Sequence, residues 1–500
     1  MTPGSIIPFF VAIPLAGAFL TALLGRKVPW LPDTLGVAAT LVTFLLSLWG
    51  VYIVSTNGTL LYTVGGWRPP WGIAMVLDGL TAFMLVTVTV VAFLVAIFSI
   101  DYMARFTSKW MFYTLFLLML AGMNGVVVTG DIFNLYVFLE VAAVASYALV
   151  AFGTERQELE AAFKYTVMGS VGSLFILLGI ALLYGYTSTL NMADMARILG
   201  QKGGNELVIL VSALFIVGFG LKAAAVPFHA WLPDAHPSAP APISAMLSGV
   251  LIKSLGVYAL CRIFFNVIGI SAQVSAALMF LGALSMVIGV FLAIGQWDLK
   301  RLLAYHSISQ IGYVILGIGL ATPLGILGGL FHLFNHSIFK SLLFLNSGAV
   351  EYSTGTRDLR KMGGLAAQMP VTSGTTLVAS MSIAGIPPFN GFWSKLAIII
   401  ACVEAGRYGY AFWAVMASVL TLASFMKVMR YAFLGKLNVQ WREVKEAPFS
   451  MKVSMATLAL LCVLGGLLLL PAARDVFLGA ASDALTNGTR YAAIILSEVR

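Results

Sequence analysis

The stretch GLKAAAVPFHAWLPDAHPSAPAPISAMLSGVLIKSLGVYALCR, residues 220–262, decides how this chain is read. Most of it is apolar enough for lipid, yet it carries Lys222, Lys253, His229, His236, Asp234 and five prolines. Charge is costly at membrane depth, and so is backbone whose hydrogen bonds a proline has removed. Their coexistence needs a reason, and the surrounding sequence supplies one.

The 500 residues are 60% hydrophobic and only 10% charged, against about 25% charged in a typical soluble protein. Apolar runs near the length of a spanning helix, about 20 residues, recur from end to end. An all-α integral membrane protein follows. Fourteen transmembrane segments are predicted near 5–25, 33–55, 76–100, 111–129, 131–152, 161–186, 206–231, 239–265, 272–295, 299–320, 324–350, 368–404, 408–434 and 451–471. The tail 474–500 is weakly amphipathic and is expected on the surface. No long polar block interrupts the series, so no sizeable soluble domain is expected. The first run lacks a basic lead-in and a cleavage site, and reads as a spanning helix rather than a signal peptide.

Several function classes drop out. Cys261, Cys402 and Cys462 stand alone with no C-x-x-C, so no iron–sulfur, haem or zinc centre is expected, nor a disulfide. No phosphate-binding glycine loop is present. The net charge of +9 is explained by loops rather than by nucleic acid. With the N-terminus outside, sixteen Lys and Arg fall in inner loops, among them Arg105, Lys300, Arg357 and Arg360. Eight fall outside: Arg68, Arg197, Lys202, Arg262, Arg407, Arg474, Arg490 and Arg500. The bias places both termini on the outer side. The basic residues left over are Lys164, Lys222, Lys253, Lys340 and Lys395, in or near the ends of predicted helices. All are lysines. Burial can make a lysine give up its proton, whereas an arginine stays charged.

Segments seven and twelve share a feature. AAAVPFHAWL (223–232) and IAGIPPFNGFW (383–393) both place Pro-Phe inside an apolar run, with a tryptophan soon after. Paired interruptions of this kind point to the repeats of a transporter, with the broken backbone lining a cavity. Two ordinary proline kinks are the alternative.

The ionisable residues then line up. Glu140 sits mid-helix in DIFNLYVFLEVAAVASY, where a lone carboxylate costs roughly 2.5 kcal/mol or more. It needs a partner, and Lys222 is the candidate; a purely structural salt bridge is the plainer reading. Lys253 lies mid-segment among small residues. His332, His336 and Lys340, at i, i+4 and i+8 in FHLFNHSIFKSLLFL, share one helical face and can pass protons through water. A half metal site or a hydrogen-bonded core histidine are the alternatives there, and no third metal ligand is near. His306 follows in WDLKRLLAYHSISQIGY, with Ser307, Ser309 and Gln310, and Lys395 follows the second break in GFWSKLAII. Asp78 and Asp131 lie near helix ends, where Asp131 is as well read as a cap. Lysines and histidines at membrane depth favour protons over large solutes.

The strings GDIFNLYVFLE, GLKAAAVPFHAWLPDAHPSAPAPISAMLSGVLIKSLGVY, DLKRLLAYHSISQIGY, HLFNHSIFKSLLFL and GIPPFNGFWSK make the chain resemble the antiporter-like subunits of the complex I superfamily over about 75–440. That superfamily includes respiratory complex I, membrane-bound hydrogenases and Mrp-type Na⁺/H⁺ antiporters. YHSISQIGYVILGIGL, STGTRDLRKMGGL and KLAIIIACVEAGRYGYA look most like the D-type component of Mrp antiporters and its hydrogenase counterpart. The resemblance implies fourteen helices, with helices 1–3 in 1–110, two inverted five-helix repeats in 111–265 and 272–435, discontinuous helices seven and twelve, and 451–500 closing the chain. It implies a proton path through Glu140 and Lys222, Lys253, the series His332, His336 and Lys340, and Lys395. Lysine at the last position, glutamate in one branch of the family, argues against that branch. The chain also ends without the long lateral helix of the largest complex I antiporter-like subunit.

The expected function is a proton-translocating subunit of a multi-subunit Mrp-type Na⁺/H⁺ antiporter in a prokaryotic cell membrane. The chain would have no cofactor and no catalytic site of its own. Its expected partners are small Mrp-type membrane subunits, lipid, H⁺ and Na⁺. A redox-driven complex, hydrogenase or quinone oxidoreductase, is the alternative, and a structural subunit with a dead channel is the third.

Overall fold

A computed structural model describes residues 3–106, 108–203 and 205–497. Arg500, counted above among the outer basic residues, lies outside the described residues. The fold is almost entirely helical. Asp78, Asp131, Asn205, Ser271, Asp298 and Thr322 each start a helix by accepting a backbone N–H of its first turn, as short polar side chains do at N-caps.

Among the described residues, eleven helices are long and apolar enough to cross a membrane: Pro3–Leu24, Leu31–Asn57, Gly79–Arg105, Lys109–Val128, Ile132–Val150, Arg156–Thr187, Ala241–Val267, Ala272–Ile294, Leu299–Gly319, Tyr408–Phe433 and Phe449–Leu469. Three further predicted segments do not qualify, for visible reasons. Segment 206–231 is helical only over Glu206–Lys222, and segment 368–404 splits into Pro370–Ala384 and Asn390–Glu404. The third, Pro323–Thr354, is a long continuous helix whose apolar character is diluted by His332, Asn335, His336 and Lys340. The few extended residues form a hairpin before the third helix, with Leu60 opposite Leu77 and Thr63 opposite Ala74.

The centre is formed by helices that a soluble protein could not afford to make so apolar. Ala241–Val267 is buried throughout its most apolar window, and Leu299–Gly319 and Gly79–Arg105 nearly so. The outer helices turn Phe19, Leu23, Phe163 and Leu174 outward, as side chains meeting lipid do. The tail does not float on the surface as the sequence suggested. Ala481, Leu485, Tyr491 and Ile495 are buried, because the tail's apolar face packs on protein. Arg262, read as an outer loop cation, is also buried; it makes a two-pronged ion pair with Asp78, at 2.7 and 2.8 Å.

A turn motif occurs twice, each residue displaced along the chain by the same number of positions. In the first, Asp131 and Asn191 form an antiparallel bridge, with Ile132 N donating to Leu190 O and Met192 N to Gly130 O, both at 2.9 Å. In the second, Asp298 and Asp358 do the same, with Leu299 N to Arg357 O and Leu359 N to Trp297 O, both at 3.0 Å. The details match too. Asp131 accepts from Asn134 N and Asp298 from Arg301 N. Thr187 Oγ1 donates to Thr189 O and Thr354 Oγ1 to Thr356 O, both at 3.3 Å. The two motifs lie at opposite ends of the Gly79–Arg105 helix. Near its start, Gly130 N donates to Ala74 O at 2.8 Å. At its end, the Arg105 guanidinium lies 3.2 Å from the centre of the Tyr352 ring.

Candidate functional site

The first break begins where Pro227 removes a backbone donor. The Glu206–Lys222 helix stops five residues earlier, and Ala224 turns left-handed at φ 54°. The freed groups find protein partners, as they must in a membrane. Val226 N donates to Ser285 Oγ at 2.9 Å, and the Trp231 indole N–H donates to Leu221 O at 3.1 Å. Trp231 is held in turn by stacking on Tyr165, centroids 4.2 Å apart.

The break leaves Lys222 at a helix end, buried, with Nζ 3.6 Å from Glu140 Oε1 and 3.5 Å from Tyr147 Oη. Glu140 also accepts a hydrogen bond from Ser173 Oγ. Its carboxylate is therefore paired and hydrogen-bonded, the two conditions for a charge at this depth.

Lys253 lies in the neighbouring Ala241–Val267 helix, fully buried, inside a run of wide π-turns over Lys253–Tyr258. Such turns are rare and concentrate at functional positions. Its ammonium bends back to the carbonyls of Ser248, at 2.6 Å, and Gly249. Among the described residues no carboxylate lies within ion-pair distance of it. Gly256 lets this helix reach the break: a Cβ there would sit 2.5 Å from Ala223 N.

His332, His336 and Lys340 lie on one buried face of Pro323–Thr354. Lys340 Nζ donates to Leu303 O at 2.5 Å. His332 pairs through Nδ1 with Ser394 Oγ at 2.9 Å and through Nε2 with Gln310 Oε1 at 3.2 Å. Neither ring nitrogen of His336 has a protein partner, and its ring stacks on that of His332 at 6.3 Å. Lys253, Lys340 and Lys395 all lie within electrostatic range of His336.

The second break opens at Gly385, left-handed at φ 81°, a conformation glycine adopts without strain. Lys395 reaches back across it, donating to Ile383 O at 2.7 Å with its ammonium 4.6 Å from the Tyr313 ring centre. A buried amide pair closes the gap: Asn390 Nδ2 donates to Asn335 Oδ1, and Asn335 Nδ2 to Asn390 O, both at 3.0 Å. Each break thus places a buried lysine at its edge, beside Glu140 in the first and the Ile383 carbonyl in the second, an arrangement able to hold and pass on a proton.

The family described as "NADH:quinone oxidoreductase/Mrp antiporter, TM" matches residues 129–421, which hold both breaks and every lysine just described. The chain belongs to this family. A second match, "NADH-Ubiquinone oxidoreductase (complex I), chain 5 N-terminus", covers residues 63–113. Among the family's curated proteins, the N-type subunit of the NADH-quinone oxidoreductase of Desulforudis audaxviator is 38% identical over 85% of this chain and 86% of its own length. The D-type subunit of the Na(+)/H(+) antiporter of Alkalihalophilus pseudofirmus is 36% identical over 86% of each. Two solved structures match at TM-score 0.90. One is a chain of the Mrp complex from a Dietzia species, 30% identical, covering 99% of this chain and 100% of that one. The other is a chain of the membrane-bound sulfane sulfur reductase, an archaeal respiratory membrane complex, 32% identical, covering 98% and 99%.

Within this NADH:quinone oxidoreductase/Mrp family fold, the sequence-predicted residues divide. Glu140 meets Lys222, and His332 comes within reach of Lys395 through Ser394 and Tyr313. His306 pairs with Ser424 Oγ at 2.9 Å, and His236 is fully buried. His229 is half-buried in the first break, with Nδ1 unpartnered. Asp234 lies apart from the buried lysines in a surface ion network, 3.0 Å from Lys164 and 3.4 Å from Arg301. Asp131 is a helix cap. Sequence reasoning missed Ser173, Tyr147 and Ser394, and the Lys300–Glu351 pair at 3.0 Å. Serine and tyrosine carry no signal in an apolar helix, and the position of Lys300 suggests a loop cation. Among the described residues no three His, Cys, Asp or Glu side chains converge on a metal-sized site.

Proposed function

We propose that this chain is the proton-translocating subunit of a multi-subunit Mrp-type Na⁺/H⁺ antiporter in a prokaryotic cell membrane, with both termini outside. The observation that carries the reading is the Glu140–Lys222 contact of 3.6 Å at the end of a broken helix. It continues inward through buried Lys253, Lys340, His336 and His332 to Lys395 at a second break.

The chain crosses fourteen times in this reading. Residues 111–265 and 272–435 are inverted five-helix repeats, preceded by 1–110 and followed by 451–500. The matched Asp131/Asn191 and Asp298/Asp358 turn motifs support the inversion, since they sit at opposite ends of one spanning helix. Each of the two broken segments falls in one repeat.

Protons are taken up from the inner side near Lys222 and Lys253, cross along the His332–Lys340 face, and leave outward through Lys395. While Glu140 is ionised beside it, Lys222 keeps its proton; separating the charges lets the proton go. Moving one charge against 100 mV costs about 2.3 kcal/mol, so a Na⁺ gradient or a partner must drive the cycle. His229, His236, His306, Asp234 and Asp131 are secondary members.

A redox-driven complex is the second reading, favoured by the likeness to the N-type subunit of an NADH-quinone oxidoreductase and to a sulfane sulfur reductase chain. Gentle extraction of the native complex and mass spectrometry of its subunits separates the two. Small membrane subunits alone support the antiporter; iron–sulfur or nickel–iron subunits overturn it. Lys222→Ala should abolish coupled transport while the complex still assembles. Transport surviving in that variant would overturn the pathway.

A further inference from the structure

Lys340 and Glu351 lie on the same face of Pro323–Thr354, one buried at mid-helix and one half-buried near the helix end. Eleven residues separate them, about 16 Å of helix. The side chains between them on that face are Phe344 and Ser347. A proton cannot cross such a distance without an intermediate group.

His236 stands beside this gap. It is fully buried, and neither ring nitrogen has a protein partner. Its ring lies 5.0 Å from that of Phe344, and the Lys340 ammonium lies 5.5 Å from the centre of the same phenyl ring. The charged groups near enough to act on it electrostatically come from three helices: Lys340, Lys253 and Lys300. On its own element the only other charged group is Asp234, turned away to Lys164 and Arg301. A buried imidazole with two open nitrogens costs stability unless it is used.

On the far side of the gap is a charged port. Glu351 lies 3.0 Å from buried Lys300 and 3.6 Å from Arg357, which also reaches Asp298 at 3.3 Å. Arg357 donates to the carbonyl of Pro237, the residue after His236. A polar cleft of about 300 Å³, lined by Asp234, Pro237, Ser238, Asp298, Arg301 and Arg357, meets this port through Arg357.

We propose that His236 carries protons from the Glu351–Lys300 port to Lys340, loading the second half of the pathway directly rather than through Lys222. This rests on the proton-translocating reading above. A proton arriving from the cleft passes by way of Glu351 to one ring nitrogen. The other ring nitrogen gives up its proton to the neutral Lys340 amine, which becomes an ammonium. Glu351 is left as a carboxylate and is reprotonated from the cleft. The imidazole ends neutral with its N–H on the opposite nitrogen, and a ring flip resets it. Phe344 stands between Lys340 and Glu351 on this face, and the histidine offers the way round it.

The test uses the whole complex in liposomes, with Na⁺-driven proton movement read by a pH dye. His236→Phe keeps the bulk and removes both nitrogens; His236→Gln keeps hydrogen bonding but cannot relay. Both should lose transport roughly a hundredfold or more, and acidifying the face that bears Glu351 should recover part of the rate. A packing role would instead be rescued by Gln and be indifferent to pH on that face. Wild-type rate in either variant, or full rescue by Gln, overturns the proposal. If the Phe variant does not assemble, His236→Gln and Glu351→Gln carry the same test. Lys253→Ala is the control for the wider reading. If that variant transports, the proton pathway itself is wrong; if it stops while the His236 variants run normally, only this inference fails.

Discussion

Gly256→Ala is the smallest change that should part the Ala241–Val267 helix from the first break. The added Cβ would lie 2.5 Å from Ala223 N and 2.6 Å from Ala223 Cα. Both are backbone atoms of the break, so no side chain can swing aside. Carbon contacts are comfortable near 3.5–4.0 Å, which asks the Ala241–Val267 helix and the break to part by about 1 Å. Overpacking of this kind costs about 1–3 kcal/mol. The functional cost is larger, because Ala223 directly follows Lys222, whose ammonium meets Glu140 at 3.6 Å. A misplacement of about 1 Å in a reacting geometry costs on the order of a hundredfold. Everted vesicles measure the exchange rate, and native electrophoresis measures assembly. The expected result is an assembled complex with a modestly lower melting temperature and a severe loss of rate. Gly374→Ala is the matched control: nothing lies within 4 Å of its added methyl, and a helical glycine replaced by alanine gains about 0.5–1 kcal/mol. If Gly256→Ala transports like Gly374→Ala, the close approach does not position Lys222, and the reasoning fails.

Three further outcomes are expected. Trp231→Phe removes the indole donor from Leu221 O and should cost about 1–3 kcal/mol, seen as a lower unfolding temperature of the complex; an unchanged temperature would mean water replaces the indole. Asp78→Asn strands the Arg262 charge in the interior and should cost about 3–5 kcal/mol, with poor assembly that the apolar pair Asp78→Leu/Arg262→Met partly restores. Asn335→Ala leaves Asn390 without its amide partner. It should slow transport by loosening the second break, and a normal rate would remove the amide pair from the account.

What the sequence made legible follows from rarity. Charge is scarce in lipid-facing helices, so Glu140, Lys222, Lys253, Lys340 and Lys395 stood out, and all but Glu140 prove buried. Both breaks were visible because Pro227 and Pro387 interrupt apolar runs. What stabilises the breaks was not visible. Ser285 and Trp231 satisfy the first, and Asn335 satisfies the second, through contacts between distant parts of the chain that no local pattern encodes. Arg262 was misplaced because position alone suggested a loop; its carboxylate partner, Asp78, is far away in the sequence. The turn motif was written plainly, TSTLN at 187–191 and TGTRD at 354–358. Only the paired bridges showed that those polar residues are doing one job twice.

The central claim is that the buried lysines exchange protons rather than merely hold the helices together. Lys253→Arg tests it most directly. Arginine keeps the positive charge, but it does not release a proton at accessible pH. Proton flux through the intact complex in liposomes should stop in this variant while assembly persists. Flux at the wild-type rate would mean that the charge of Lys253, and not its proton, is what the protein uses.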